Sequence, residues 1–326
     1  MILAGDLGGT KTLLGLFERA DPRPRPRLTR GYPTQEFDSF TAILDMFARE
    51  IGERLAIEAA AVGVAGPIVD QHARLTNIEW DVSAAQIGKY LGVRRVALLN
   101  DLEAMAASVA LLEGDELVVL QHGDPKRSGN AAVIAAGTGL GQAYLHRVNG
   151  RLLPVASEAG HADFAARTDR EFGLVRMLRD LYGRAEVEQV LSGPGLVNIH
   201  RLTHAGRSCP AIEGVAPAEQ PAAISDAAMS QQCGHCEEAL EIFVEAYGAE
   251  AGNLGLRGVA TAGVYIGGGI APKILPELQN GRFIQAFRAK APMAELVAAT
   301  PVSVIVKQDA GLLGAAIAAQ QLIAVD

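Results

Sequence analysis

The chain has 326 residues, of which 49% are hydrophobic and 20% are charged, and its formal net charge is −8. The length favours two domains, the apolar fraction excludes a disordered chain, and the acidity argues against a nucleic-acid partner. No run approaches the ~18 consecutive apolar residues that a membrane span needs, and three cysteines are too few for a disulfide framework, so we expect a cytoplasmic protein.

The first third of the chain alternates predicted strands and helices, which favours an α/β domain. Residues 1–4 and 13–17 are apolar strands joined by a glycine turn, a pattern typical of a hairpin. Between Pro22 and Arg30, prolines alternate with arginines, and we interpret this segment as a solvated loop rather than as a basic arm. The elements predicted next are a helix from residue 40 capped by Ser39, a strand over 59–65, a helix between Ser83 and Gly92, a strand over 96–99 and a helix over 102–112.

A second cycle of the same kind begins near residue 117. The predicted elements are strands over 117–120, 131–136 and 142–146, a glycine turn over 137–141 and a hairpin at Asn149-Gly150. Helical patterning continues to Gly258 around an irregular stretch over 205–235, and it is followed by strands over 263–266 and 302–306 and a helix over 311–322. Each half thus contains strand, glycine turn and strand, a pattern that only suggests an internal duplication.

The first glycine turn is a candidate anion-binding site, although its spacing is not that of a Walker A loop. Its backbone amides can approach a phosphate, while Thr10 adds a hydroxyl group and Lys11 a positive charge. Asp6 would repel a phosphate unless a cation lies between them, so it is a candidate for holding Mg²⁺ through water. The alternative is an ordinary hairpin in which Asp6 accepts bonds from turn amides. The residues assigned to this site are Gly5, Asp6, Leu7, Gly8, Gly9, Thr10 and Lys11.

Polar residues at two other places are suited to a hydroxylated substrate. Asn100-Asp101 follows an apolar strand, where open α/β sheets expose ligand-binding groups, and Asp101 can accept a proton from an attacking hydroxyl. Alternatively, Asp101 only begins the next helix, where a negative charge is favourable. Glu158 and His161 share one face of a helical turn, so they can bind sugar hydroxyls or form an exposed ion pair. Glu188 carries no signal of its own.

Two further glycine clusters are candidates for contacts with a nucleotide. Thr138 and Gly139 lie in the turn over 137–141, which is a second possible anion cradle. The run Gly267, Gly268 and Gly269 follows a buried strand, where it would let the backbone approach a flat ligand. Each cluster, taken alone, also fits an ordinary turn.

A group of cysteines and histidines indicates an alternative chemistry. Cys233 and Cys236 have C-x-x-C spacing, and His200 and His204 lie four residues apart on one helical face, so these four side chains could bind zinc. The ligand order is not that of a standard finger, and the segment between the two pairs has the composition of a loop. We therefore favour ordinary thiols over zinc or redox chemistry.

Taken in order, these motifs resemble the bacterial glucokinase family, within the superfamily of hexokinases, actin and sugar kinases. The resemblance runs from residue 3 to about residue 319, and although each motif is weak, seven in order are specific. They are residues 5–10, 99–101, 137–141, 157–161, Glu188 with 191–195, 265–269 and 311–315. Lys11 is more like the related ROK sugar kinases, but their cysteine-rich zinc motif does not follow His161, and Ala159 replaces a usual glycine.

The resemblance implies a two-domain α/β, actin-like (ribonuclease H-like) ATPase fold with a glucose site in the interdomain cleft. Residues 1–111 with about 313–326 would form the small domain, and 112–312 the large domain. Asp101 would be the general base for the C6 hydroxyl of glucose, and Asn100, Glu158, His161 and Glu188 would bind its other hydroxyls. The glycine clusters would bind ATP with Mg²⁺, and the enzyme would be a homodimer.

Three other functions compete with this one. A ROK-like kinase of another hexose would use similar polar residues, because selectivity among sugars depends on loops. A non-catalytic, sugar-sensing regulator is disfavoured by the presence of both Asp6 and Asp101. A chaperone-like or filament ATPase of the same fold would not need Glu158, His161 and Glu188 together.

Overall fold

A computed structural model of the chain describes residues 1–52, 56–75, 78, 80–124 and 128–323. The strands are β1 (Ile2–Leu7), β2 (Lys11–Glu18), β3 (Arg25–Pro33), β4 (Ala59–Val64), β5 (Ile68–Val69), β6 (His72–Arg74), β7 (Asp81–Ser83), β8 (Val96–Asn100), β9 (Leu117–Gln121), β10 (Ala131–Ala136), β11 (Leu140–Val148), β12 (Arg151–Ser157), β13 (Gly263–Gly267) and β14 (Val302–Ile305). The helices are α1 (Phe40–Ile51), α2 (Ala84–Leu91), α3 (Asp101–Ser108), α4 (Asp169–Tyr182), α5 (Gly193–His204), α6 (Gln220–Met229), α7 (Gly234–Arg257), α8 (Leu275–Gln279), α9 (Arg282–Arg288), α10 (Ala294–Ala298) and α11 (Ala310–Ile323).

The chain divides into two compact units. The first comprises Met1–Glu116, Leu152–Ala156 and Lys307–Asp326, and the second comprises Leu117–Arg151 and Ser157–Val306. Among the described residues, no helix combines the length and the apolar character that crossing a membrane requires.

The first unit is a five-stranded sheet in the order β3-β2-β1-β4-β8, with β1 antiparallel to β2 and parallel to β4. Alternate residues of β1 enter different cores, because successive side chains of a strand point to opposite faces. Leu3 and Leu7 pack in a core shared with α1 and α2, whereas Ile2 and Ala4 pack in one shared with α3 and α11. Helices therefore cover both faces of this sheet.

The starts predicted for α1 and α2 are confirmed by their caps. The hydroxyl of Ser39 accepts a hydrogen bond from the Ala42 amide at the start of α1, and that of Ser83 accepts one from the Gln86 amide at the start of α2. Gly92 ends α2 with a φ of 72°, in the left-handed region. The sequence indicates these caps because the donor and the acceptor of each bond lie within one turn of the helix.

The interpretation of the proline–arginine segment as a loop is wrong from residue 25 onward. Arg25–Pro33 is β3, which pairs antiparallel with β2 at the edge of the sheet. An edge strand has a neighbour on one side only, so it tolerates prolines, which lack an N–H group. The register shifts between Leu16 and Phe17, opposite the proline-rich end of β3.

A close helix crossing brings α11 onto the sheet of the first unit. A Cβ atom at Gly314 would lie 1.6 Å from the carbonyl oxygen of Ala104 in α3, so this position accepts glycine alone. On its other side α11 packs through Leu312 and Ala315 against the core that holds Ile2 and Ala4. Gly314, the second glycine of the motif at residues 311–315, therefore has a packing role.

The second unit contains a sheet with the strand order β11-β10-β13-β14-β9, in which β10 is antiparallel to β11 and parallel to β13. Its longest helix, α7, is buried over most of its length and packs against α5, α6 and α9. The predicted irregular stretch over 205–235 contains α6, so that prediction is wrong there. Ile224, Ala227 and Ala228 of α6 are buried in the core of this unit, a contact that the weak local pattern did not indicate.

Candidate active site

The first predicted glycine turn is shorter than the sequence indicated. Gly5, Asp6 and Leu7 belong to β1, and the turn itself is Gly8, Gly9 and Thr10. The amide of Gly8 donates to the Lys11 carbonyl over 3.1 Å, which closes the hairpin. The side chain of Leu7 is buried in the core, so a contact of this residue with a ligand would involve its backbone.

Thr34 supports this turn from outside the motif. Its hydroxyl donates to the carbonyl of Gly8 over 2.8 Å and lies 2.9 Å from the hydroxyl of Thr12, and its amide donates to the carbonyl of Thr10 over 2.9 Å. Sequence reasoning missed this residue, because it lies more than twenty residues from the turn. These bonds fix the backbone whose amides are candidates for phosphate binding.

Asp6 and Asp101 are brought together within the first unit. The pKa of Asp6 is raised to about 6. Burial of its side chain is the larger cause, and the negative charge of Asp101 is the smaller one. Two carboxylates in this relation repel each other, and a cation would relieve that repulsion. Because carboxylate oxygens are also the donors that Mg²⁺ prefers, the residues present fit this ion.

Asn100 and Asp101 stand where β8 passes into α3, at the carboxyl end of a strand as the sequence predicted. The side-chain oxygen of Asn100 accepts bonds from the amides of Leu102 and Glu103, and its NH₂ group donates to the carbonyl of Gly66 over 3.1 Å. The carboxylate of Asp101 accepts from the Leu102 amide over 2.8 Å. Asn100 thus caps the helix, and the exposed Asp101 carboxylate is held at its first turn.

In the second unit, two short segments align the predicted sugar-binding residues. The amide of Glu188 donates to the carbonyl of Gly160, and that of Val187 to the carbonyl of Ala162. This pairing places Glu158, which precedes a 3₁₀ turn, and His161, which ends that turn, beside residues 186–188. The sequence indicated neither segment as a partner of the other, because they are separated by more than twenty residues.

His161 has a partner that sequence reasoning missed. Its Nδ1 lies 2.8 Å from Oε2 of Glu186, and this bond raises the pKa of His161, with the charges of Glu188 and Glu158 adding to the effect. Arg184 donates to the carbonyl oxygen of His161 over 2.6 Å and to the carboxylate of Asp163 over 3.0 Å. The result is a half-exposed imidazole with a fixed backbone and a carboxylate partner.

Glu188 connects the sugar candidates to the second glycine turn. Its Oε2 accepts a hydrogen bond of 2.8 Å from the amide of Leu140, the residue that follows Gly139. The turn is further closed by a bond from the Gly137 amide to the Gly139 carbonyl, and Gly193, the first residue of α5, donates to the carbonyl of Gly137. Glu188, which carries no signal of its own in the sequence, therefore connects the segment of Glu158 and His161 to the second glycine turn.

The glycine run at the end of β13 is adjacent to the same turn. Gly268 has a φ of 84°, and a Cβ atom there would lie 2.2 Å from the carbonyl oxygen of Ala136, at the end of β10. Both conditions require glycine at this position. The amide of Ile270 donates to the same carbonyl oxygen over 3.2 Å, so the two glycine clusters are held side by side.

A cavity of about 880 Å³ lies in the second unit and is large enough for a nucleoside. Its walls combine glycine backbone, apolar side chains and two basic residues. They include Gly137, Thr138, Gly269, Ile270, Arg201 and Lys273. The structure thus brings two of the predicted nucleotide clusters to one cavity.

Comparison with known proteins gives a consistent result. The Glucokinase family model matches residues 3–322. The chain is 37% identical over 340 residues to the glucokinase of Nostoc punctiforme, and the alignment covers 99% of each chain.

Solved structures agree in fold. The crystal structure of glucokinase from an Antarctic psychrotroph superimposes with a TM-score of 0.87 at 28% identity, over 98% of both chains. A ROK family glucokinase from Streptomyces griseus, in complex with glucose and AMPPNP, has a TM-score of 0.64 at 21% identity, over 98% of this chain and 99% of that one. The predicted two-domain, actin-like fold is thereby confirmed.

Proposed function

The chain belongs to the glucokinase family, and from this premise we propose how its own residues phosphorylate glucose. The enzyme transfers the terminal phosphoryl group of ATP to the C6 hydroxyl of glucose and releases glucose 6-phosphate. The observation that best supports the assignment of its site is the position of Glu188. Through its backbone this residue holds the segment of Glu158 and His161, and through its carboxylate it holds the turn after Gly139.

We assign proton abstraction to Asp101. Phosphoryl transfer demands alignment of the acceptor and neutralisation of charge more than covalent participation by the protein. An exposed carboxylate held by the Leu102 amide can accept the proton of the C6 hydroxyl as its oxygen attacks phosphorus. Asp101 would therefore act on the acceptor and leave the phosphate chain to other residues.

We assign the remaining sugar hydroxyls to Asn100, Glu158, His161 and Glu188. The side-chain oxygen of Asn100 is already used by the start of α3, and one N–H of its NH₂ group donates to Gly66, so the second N–H is the part that we assign to the sugar. Glu158 and His161 have exposed side chains, and the carboxylate of Glu188 has an acceptor oxygen besides the one that holds Leu140. Carboxylate and imidazole groups together offer acceptors and donors for several neighbouring hydroxyls.

We assign the nucleotide to the glycine clusters. Gly5 to Lys11 and the turn with Thr138 and Gly139 would bind the phosphates through backbone amides, the Thr10 hydroxyl and the Lys11 charge. Gly267, Gly268 and Gly269 would lie against the adenosine, in the cavity of the second unit. Mg²⁺, when bound, would neutralise charge on the phosphates, with Asp6 holding it through water.

The wider setting follows from the family. We propose that the enzyme is a homodimer that works in the cytoplasm. We also propose the predicted domains, 1–111 with about 313–326 and 112–312, whose boundaries differ by a few residues from those of the two compact units and leave out the segment Leu152–Ala156. Light scattering coupled to size exclusion tests the dimer, and a mass of one chain at assay concentration would contradict it.

A coupled phosphorylation assay tests the proposal. The purified chain is given ATP, Mg²⁺ and, in turn, glucose, fructose, mannose and N-acetylglucosamine, and we expect the highest kcat/KM with glucose. Asp101→Asn should lower kcat by about 10²- to 10⁴-fold, the range for loss of a general base, while calorimetry still detects glucose binding. Asp180→Asn, at an exposed position of α4, is the matched control.

Two results would contradict the assignment. Turnover near that of the wild type in Asp101→Asn would exclude this residue as the base. A clear preference for a hexose other than glucose would move the chain to a different substrate within the same chemistry.

A further inference from the structure

Four potential metal ligands converge in the second unit. His200 and His204 belong to α5, Cys209 follows in the loop after it, and Cys236 lies in the first turn of α7. Their exposed fractions are 4%, 4%, 5% and 0%. One nitrogen or sulfur atom from each lies within 4.8 Å of those of all the others. So dense a group of soft ligands in the interior requires an explanation.

The distance between the two sulfur atoms is the first geometric indication. Sγ of Cys209 and Sγ of Cys236 are 3.7 Å apart. A disulfide bond would hold them at about 2.05 Å. Two thiolates at about 2.3 Å from a tetrahedral zinc ion are separated by about 3.8 Å. The observed spacing matches that of two ligands on one metal ion and is also the contact distance of two thiols, and both cysteines are free thiols.

The two imidazoles supply the second indication. Nδ1 of His204 lies 3.0 Å from the carbonyl oxygen of His200, and since a carbonyl can only accept, Nδ1 carries the proton and Nε2 keeps a lone pair. Such a bond is how proteins orient histidines that bind metals. Nε2 of His200 is buried and has no hydrogen-bond partner among the residues that the structure describes. A buried nitrogen without a partner is costly, and a metal ion would satisfy it.

We propose that His200, His204, Cys209 and Cys236 bind one Zn²⁺ ion. Two thiolates and two imidazoles in tetrahedral arrangement are a standard donor set for zinc. All four positions of the ion are then occupied by protein, which defines a structural site rather than a catalytic one. Binding requires both thiols to lose their protons, so zinc uptake releases protons.

Cys233 is the nearest competing ligand. It is the residue before α7, and its sulfur lies 3.5 Å from Nε2 of His204. The sequence pattern had paired it with Cys236 and the two histidines. In the structure Cys209 takes its place, because the loop after α5 returns to the start of α7 and buries Cys209, whereas Cys233 remains partly exposed. The loop that argued against zinc is thus what delivers the fourth ligand.

The zinc site would hold the C-terminal end of α5, whose N-terminal end supports the second glycine turn. α5 begins at Gly193, which donates to the carbonyl of Gly137 in the second glycine turn, and ends at His204. Leu196, Val197 and Arg201 of the same helix line the cavity. Zinc would tie the end of α5 to the start of α7 and so fix one wall of that cavity.

Metal analysis of the full-length enzyme tests the proposal. Protein purified without chelators should contain one equivalent of zinc per chain after gel filtration. Protein stripped under reducing conditions should take up one equivalent of Co²⁺, with a thiolate-to-cobalt charge-transfer band and the visible bands of a tetrahedral ion. Because this measurement uses the wild-type chain, it does not depend on whether a variant folds.

Ligand variants identify the donors. Cys209→Ser, Cys236→Ser and His200→Ala should each weaken zinc binding by about tenfold or more, since each removes a ligand. Cys233→Ser is the matched control and should retain one equivalent. Circular dichroism establishes that each variant is folded before its metal content is compared.

Three outcomes would overturn the proposal. The first is wild-type protein that takes up neither Zn²⁺ nor Co²⁺ in stoichiometric amount. The second is a disulfide between Cys209 and Cys236 in freshly purified protein, found as one free thiol in place of three. The third is loss of zinc in Cys233→Ser with retention in His200→Ala, which would refute His200 as a ligand.

Discussion

The pKa of His161 depends on a residue that the sequence did not indicate. The carboxylate of Glu186 accepts a bond from Nδ1 and raises the pKa of the imidazole above its usual value of 6.5. The charged form therefore persists to a higher pH than it would in an isolated histidine, and it has two N–H donors instead of one. Such an imidazole is suited to hold a hydroxyl oxygen through Nε2.

Glu186→Gln should lower the pKa of His161, because it removes the partner that favours the charged form. With His161 protonated below its pKa, we expect the KM for glucose to rise as the pH passes upward through that value, and to rise at lower pH in the variant. NMR titration of the His161 ring and KM measured from pH 5.5 to 9 follow the two effects. Glu295→Gln, at an exposed position of α10, is the control, and identical profiles in wild type and Glu186→Gln would refute the role of Glu186.

At the scale of elements, α7 holds the two glycine clusters that we assign to the nucleotide through one buried hydroxyl. The amide of Ala136, just before Gly137, donates to the hydroxyl of Tyr247 over 3.2 Å. The same hydroxyl lies 3.4 Å from the carbonyl oxygen of Gly267. Tyr247 thus joins the ends of β10 and β13 at the points where their turns begin, and we regard it as a positioning residue.

Tyr247→Phe should leave the Ala136 amide buried without a partner, which costs about 1–3 kcal/mol of unfolding free energy. Because both turns lose their common support, the KM for ATP should rise more than the KM for glucose. Urea unfolding and steady-state kinetics measure the two effects, with Tyr90→Phe in the first unit as the control. An equal change in both KM values would indicate a purely structural role.

The crossing of α3 and α11 depends on a single glycine. Gly314→Ala should destabilise the enzyme by about 3 kcal/mol or more, since the new methyl group would overlap the Ala104 carbonyl and the helices must separate. Gly173→Ala in α4 is the matched control, because its new Cβ would meet only Leu202 at 3.8 Å and alanine is the better helix former. Thermal unfolding compares them, and equal midpoints would show that the crossing adapts.

At the scale of the whole molecule, ion pairs join the point where the chain first leaves the first unit to the point of its last return. Glu116 is the last residue before the second unit, and Lys307 is the first residue after it. Arg23 makes two bonds with the Glu116 carboxylate, of 2.8 and 2.6 Å, and Nζ of Lys307 lies 3.3 Å from it. The bond from Arg23 is the main reason why the pKa of Glu116 falls to about 2.

Glu116→Gln should destabilise the enzyme by about 1–2 kcal/mol at pH 7, a value reduced from that of a fully buried pair. The pKa of Glu116 is lower in the folded state than its ordinary value of 4.5, so the stabilisation is complete above pH 4.5 and disappears as the pH falls toward 2. The difference in urea midpoint between the variant and the wild type should therefore be smaller at pH 3.5 than at pH 7. Glu113→Gln, whose exposed carboxylate is 4.0 Å from Arg23, is the control.

The sequence was sufficient for elements whose signals are local. The hairpin of β1 and β2, the caps of α1 and α2, the strand β10 and the glycines that bound these elements were all predicted, because each depends on groups a few residues apart. The family resemblance has the same origin, since its motifs are short and occur in order. Together these signals determined the fold class and the enzymatic activity.

Tertiary structure alone decided which distant residues meet. Thr34 supports the first glycine turn, Glu186 raises the pKa of His161, Tyr247 joins two strand ends, and Cys209 replaces Cys233 among the clustered potential ligands. None of these residues has a distinctive local pattern, because its role depends on a partner that is remote in the chain. The proline-rich β3 was misjudged for a related reason: local rules disfavour a strand there, and only its place at the sheet edge allows one.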